Sequence, residues 1–169
     1  MKKYALILVL AAIALFALAA CATNEESTQE GIHYRFENLG FYFTLPASWE
    51  GKYGLEESAW TFEDLVFHYV QVFHPATRED MESDYAGWLF SIVRHPSAIF
   101  EDGELIIGNV LPPSNIVLAY RGEWAYLLHR PTDVQWNIFA PESAAALEFR
   151  EMQEDLEFII ISIGLTESE

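Results

Sequence analysis

Arg130-Pro131-Thr132-Asp133-Val134-Gln135-Trp136 gathers a guanidinium, a hydroxyl, a carboxylate, an amide and an indole at the exit of an apolar run. Polar groups on a loop held by a rigid sheet are the usual material of a recognition site. Arg94, at the end of another apolar run, joins them if the two runs form neighbouring strands. The candidate binding residues are therefore Arg94, Arg130, Thr132, Asp133, Gln135 and Trp136, a set suited to a small ligand or a cation. The competing account is structural: Thr132 or Asp133 closes a turn, and Arg130 pairs with one of many acids.

None of His33, His68, His74, His95 and His129 falls in an H-E-x-x-H or other close ligand pair. His68 and His74 lie six residues apart, roughly 20 Å along an extended strand and too far for one metal. Asp80-Met81-Glu82-Ser83-Asp84 alternates acids like a calcium loop, but Tyr85 stands where an EF-hand needs Gly and Ser91 where it needs Glu. There is no G-x-S-x-G elbow, no Ser-x-x-Lys pair and no phosphate-cradling glycine loop. No catalytic residue, metal or cofactor is expected. A Ser-His-Asp set assembled from distant positions stays open, because only a fold can bring such groups together.

The N-terminus carries an address. Lys2 and Lys3 precede an unbroken apolar run, Ala5 to Ala20, the layout of an export signal. The run falls slightly short of the roughly 20 residues that cross a bilayer comfortably. Leu18-Ala19-Ala20-Cys21 resembles the lipobox of bacterial lipoproteins, in which the signal is cut before a Cys that is then lipidated. The expected organisation is a signal over residues 1–20, lipidated Cys21 with a polar tether to Gly31, one globular domain over 32–166 and a tail of 167–169. The partner implied is a membrane, held through the lipid on Cys21. The location implied is the outer face of the cell membrane.

Charge narrows the function classes. The chain has 9 basic and 26 acidic residues, and loss of residues 1–20 leaves 7 basic against 26, a net charge of −19 over 149 residues. That excludes a nucleic-acid binder, which needs clustered Lys and Arg. An anionic surface repels such a domain and holds it out on its tether. At 51% hydrophobic and 15% aromatic residues the rest must fold. One cysteine allows no disulfide framework, and lipidation leaves no thiol for catalysis.

The elements that position these residues follow from periodicity. Arg35–Gly40 and Phe41–Pro46 look like two strands around a Gly turn, and Lys52–Ser58 like a third. Leu65 to His74 is apolar on both alternating sets, as in a central strand. Ala76–Ala86 suits a surface helix or loop. Gly87–Arg94 predicts a strand with Trp88, Phe90 and Ile92 on one face. Asn115–Tyr120 and Glu123–Arg130 flank Arg121-Gly122 as a hairpin, with Val117 and Ala119 sharing a face with Trp124 and Tyr126. Glu104–Val110 is a further strand candidate. Ala145, Phe149, Met152, Leu156 and Ile159 predict an amphipathic helix from Pro141, with Ile159–Ile163 leaving it as a short strand. The fold class is α+β, an antiparallel sheet with helices packed on it.

Gly40-Phe41-Tyr42-Phe43-Thr44-Leu45-Pro46-Ala47-Ser48-Trp49 resembles the G-F-x-(hydrophobic)-x-x-P-x-x-W start of small extracytoplasmic PsbP/Mog1-like domains. Together with Gly87–Ile92 and Arg130–Gln135, the chain looks like a group of small lipoproteins from Gram-positive bacteria. The resemblance implies an α/β/α sandwich and an adaptor role. The leading expectation is a non-enzymatic, lipid-anchored domain that binds or scaffolds an envelope partner. The alternatives are a small-ligand or cation receptor using the polar strand-end residues, and a hydrolase with an unrecognised constellation.

Overall fold

A computed structural model of the chain describes residues 31–166, apart from 63, 98–99, 102–103 and 106–114. The expected signal, Cys21 and its tether up to residue 30, most of the Glu104–Val110 run and the tail 167–169 lie outside the described residues.

Strands β1 (Gly31–Phe36) and β2 (Phe41–Pro46) pair antiparallel around a turn at residues 37–40. Gly40 ends that turn at φ +83°, a backbone conformation that a Cβ disfavours. A 3₁₀ turn, Ala47–Trp49, follows. Five longer strands build a second sheet: β3 (Gly54–Phe62), β4 (Leu65–Phe73), β5 (Trp88–Pro96), β8 (Ile116–Arg121) and β9 (Trp124–His129), in the order β3-β4-β5-β9-β8. A two-residue-per-arm hairpin, β6 (Phe100–Glu101) and β7 (Glu104–Leu105), interrupts the run between β5 and β8. Helix α1 (Pro75–Asp80) links β4 to β5. Helices α2 (Ala144–Glu154) and α3 (Leu156–Ser162) close the domain, and β10 (Gly164–Leu165) returns beside β2. The protein is α+β, with antiparallel sheets and few helices.

One core lies between the two sheets. Phe41, Phe43 and Leu45 of β2 pack with Val70 and Val72 of β4, Phe90 and Ile92 of β5, and Tyr126 and Leu128 of β9. Phe149 and Met152 of α2 and Ile159 of α3 complete it. The other face of β4 buries Phe67, which stacks on Trp60 at 4.1 Å and meets His95 edge-on at 4.9 Å. The two-sided pattern of Leu65–Phe73 thus marks an interior strand covered on both faces, although the central place in the sheet belongs to β5.

Two bulges correct the expected faces. The ladder shifts between Val72 and Phe73, so Trp88 pairs with Phe73 while Phe90 pairs with Val72. The extra residue, Leu89, enters the core and turns Trp88 to the side opposite Phe90 and Ile92. A second shift between Val117 and Ala119 leaves Ala119 opposite Tyr126 but places Val117 opposite Leu127, on the other face. The hairpin turn is Gly122-Glu123, with Arg121 paired to Trp124.

The C-terminal helix also differs from expectation. Pro141 and Glu142 stay in the preceding turn, because Ser143 is the cap and its Oγ accepts from the Ala146 amide at 3.2 Å. The helix divides at Asp155, whose carboxylate accepts the Trp49 indole N–H at 2.9 Å. Ile159–Ser162 remains helical: Ile159 is buried, and Ser162 Oγ takes the Thr44 amide at 2.9 Å and donates to its carbonyl at 3.1 Å. The strand begins two residues later, at Gly164.

His95 and His129 lie on the face away from the core, their rings 5.4 Å apart. Burial pushes both down to about 4, and for His95 the neighbouring His129 adds to it. The unfolded chain, with histidines near 6.5, therefore binds protons more tightly than the folded one. Stability should be unaffected above pH 6.5 and should fall from there to about 4, by on the order of 2–3 kcal/mol for each histidine. Urea midpoints between pH 7 and 4.5 check this, and His129→Phe should flatten the slope; an unchanged slope contradicts it.

Candidate functional site

A cleft of about 680 Å³ opens where the β1–β2 turn meets the β8–β9 turn. Three arginines line it: Arg35 from the end of β1, Arg94 from β5 and Arg121 from the end of β8. They are three of the 7 basic residues beyond position 20.

Backbone carbonyls with nowhere else to go bring the two turns together. Tyr126 donates its hydroxyl to the Leu39 carbonyl at 3.0 Å. Arg94 Nη1 donates to the Asn38 carbonyl at 2.9 Å, and Arg121 Nη1 to the Thr166 carbonyl. The Thr166 amide in turn donates to Gly40 O at 3.0 Å. Gly40 is obligatory here: a Cβ would stand 2.8 Å from the Tyr126 hydroxyl. The Arg94 guanidinium lies 4.4 Å from the centre of the Trp124 ring, which fixes its plane.

Each guanidinium has five N–H donors and stays charged at any pH the protein meets. One donor of Arg94 and one of Arg121 serve the backbone, and Arg94 Nε is buried with no hydrogen-bond partner among the described residues. Arg35 pairs with Glu37, and Glu123 is the other acid of the cleft. Three guanidiniums against two carboxylates leave a local excess of positive charge in a strongly acidic domain. Planar forks of this kind suit carboxylate or phosphate oxygens.

Of the residues marked in the sequence, only Arg94 enters this cleft. β5 and β9 are indeed neighbours, but they run antiparallel: Arg94 sits opposite Tyr126, while Arg130 follows His129 at the far end, opposite Ser91. Arg130 borders a separate pocket of about 250 Å³ with Pro131, Gln153 and Leu156. Thr132 and Asp133 are exposed. Gln135 is buried, its side-chain amide donating to the Asp133 carboxylate at 2.6 Å and its backbone carbonyl accepting from the Gly87 amide at 2.9 Å. Trp136 packs against the core under Arg150. The segment latches the loop before β5. Arg35 and Arg121 were missed; their signal was an Arg beside each glycine turn, but nothing local says which turns meet.

A hydroxyl–imidazole–carboxylate chain does assemble elsewhere. His74 Nε2 meets Glu148 Oε2 at 3.0 Å, and its Nδ1 meets the Thr77 hydroxyl at 2.7 Å. With Nε2–H donating to the carboxylate, Nδ1 accepts from Thr77: the groups are those of a hydrolase triad, but with the two ring nitrogens exchanged, since there the hydroxyl bonds Nε2 and the carboxylate Nδ1. Thr77 is 1% exposed and His74 0%, so the hydroxyl is closed to a substrate. The set ties α1 to α2. Partial burial opposes ionisation of Glu148, yet hydrogen bonds from His74 and Lys52 hold its carboxyl below the usual range. Among the described residues, no group of three or more His, Cys, Asp or Glu could hold a metal ion.

The chain matches no protein-family model, no curated protein and no solved structure.

Tyr126→Phe should leave the buried Leu39 carbonyl unpaired and cost about 1–3 kcal/mol, read as a lower urea midpoint. An unchanged midpoint would show that the hydroxyl does not join the sheets.

Proposed function

We propose that this chain is a lipid-anchored, extracytoplasmic and non-catalytic binding domain whose arginine cleft takes a carboxylate or phosphate group of an envelope partner. The observation that carries the reading is the concentration of Arg35, Arg94 and Arg121 on one cleft of an acid-rich domain. Long-range repulsion from the net charge discourages non-specific anions, so only a ligand that reaches the guanidiniums at short range gains from them. The lipobox at Leu18–Cys21 and the polar tether support the location, and the Gly40–Trp49 stretch supports a kinship with PsbP/Mog1-like lipoprotein domains and their α/β/α sandwich. Among the described residues no helix is long and apolar enough to cross a membrane. The receptor alternative survives through Arg94 alone, with Arg35 and Arg121 replacing Arg130, Asp133 and Gln135 as its partners.

Thermal shift of the mature chain against acetate, citrate, inorganic phosphate and glycerol phosphate tests the cleft. An anion at 100 times its Kd should add roughly 2.7 kcal/mol of stability. Arg94→Lys keeps the charge but loses the planar fork, and should weaken binding about tenfold. No shift with any anion, or one that Arg94→Lys and Arg121→Ala leave intact, refutes the reading.

The anchor is tested separately. Cys21→Ala should abolish incorporation of labelled fatty acid and leave the protein uncleaved at residue 20. Persistent labelling of that variant rules out Cys21 as the lipidated residue.

A further inference from the structure

A second concavity, of about 600 Å³, lies on the other side of the large sheet, and its lining has a different chemistry. Tyr69, Trp88 and Tyr85 supply aromatic surface, and Glu56, Gln71 and Asp84 supply hydrogen-bonding groups. Glu56 of β3 pairs with Gln71 of β4, and Tyr69 lies two residues before Gln71 on the same face, so a rigid floor holds them. Trp88 is there only because of the bulge between Val72 and Phe73. Its indole N–H is taken by Ser91 Oγ at 2.9 Å, which satisfies its one polar atom and locks the ring. Arg78 walls the groove, stacked 3.3 Å from the centre of Phe73 and paired with Glu56 at 3.0 Å.

Tyr85 stands out on this rim, 90% exposed. An aromatic ring held in water beside a second and a third ring is surface awaiting a partner. Flat polar side chains between aromatic rings match a pyranose, which has apolar C–H faces and a rim of hydroxyls. Carboxylates accept from vicinal hydroxyls, and the amide of Gln71 both donates and accepts. Two carboxylates against one guanidinium make the groove net negative, in contrast to the arginine cleft, so it disfavours an anionic ligand. We propose that this groove binds an uncharged glycan chain, laying sugar rings on Trp88 and Tyr85 and bonding their hydroxyls to Glu56, Gln71 and Asp84. This site is independent of the arginine cleft.

The test is calorimetric titration of the mature chain, held in a sugar-free detergent, with cellohexaose, maltohexaose and the hexamer of N-acetylglucosamine. At least one should bind with a Kd below about 1 mM, and the choice among the three distinguishes plain from N-acetylated sugars. Tyr85→Ala, at an exposed position that folding does not need, should raise that Kd about tenfold. Gln71→Ala should weaken it several-fold, and Arg94→Lys should leave it unchanged, which separates this site from the anion cleft. The proposal is overturned if none of the three hexamers binds by about 10 mM, or if Tyr85→Ala and Gln71→Ala both leave binding intact. Decaproline titrated in the same way is the control for a peptide groove, and its binding with loss in Tyr85→Ala, without glycan binding, also overturns it.

Discussion

The Tyr126 hydroxyl, bonded to the Leu39 carbonyl above Gly40, joins the two sheets at the end where the cleft opens. A buried carbonyl left without a donor is costly, so this contact decides how the β1–β2 turn seats on β9. Once the turn is seated, Asn38 O faces Arg94 and Gly40 O faces the Thr166 amide. The arginine cleft is a consequence of that docking: the two guanidiniums that complete the backbone hydrogen bonds of the turn and of Thr166 also line the cleft. The Arg94 guanidinium also lies against the Trp124 ring, 4.4 Å from its centre.

The large sheet works as a partition. Its inner face closes the core with β2, α2 and α3, while its outer face carries the Trp60–Phe67–His95 aromatic row and the groove around Trp88. The two concavities therefore have opposite character because they stand on opposite sides. One takes its charge from turns at the rim of the core, and the other takes Tyr69 and Trp88 from strand positions that point away from it and Tyr85 from the loop before β5. A single inserted residue, Leu89, transfers Trp88 from the first environment to the second. One-residue shifts have this leverage because side chains alternate faces with a period of two.

The Thr77–His74–Glu148 chain shows why residue identity and hydrogen bonding do not suffice to assign catalysis. Its groups are those of a hydrolytic triad, yet the hydroxyl and carboxylate sit on exchanged ring nitrogens and burial of the hydroxyl leaves the set a tie between helices. The exposed end of the tie is Glu148, which also meets Lys52 at 3.1 Å and so connects the start of the large sheet to α2.

Alternation of apolar residues alone placed β4 inside a sheet, covered on both faces, found β2, and marked Phe149, Met152 and Ile159 as the buried side of the closing helices; the first strand, expected at Arg35–Gly40, lies earlier, at Gly31–Phe36, with residues 37–40 as the turn. These are local properties, governed by side-chain period and backbone sterics within a few residues. The lipobox and the charge balance are equally local, or simply additive. Tertiary structure decided which faces Trp88 and Val117 occupy, that Arg94 and Arg130 sit at opposite ends of paired strands, and that Arg35, Arg94 and Arg121 share a cleft. Those outcomes depend on strand direction, on bulges and on which turns meet. They are set by pairings between residues far apart in the chain, where the free energy belongs to the assembled core and no short segment carries a record of it.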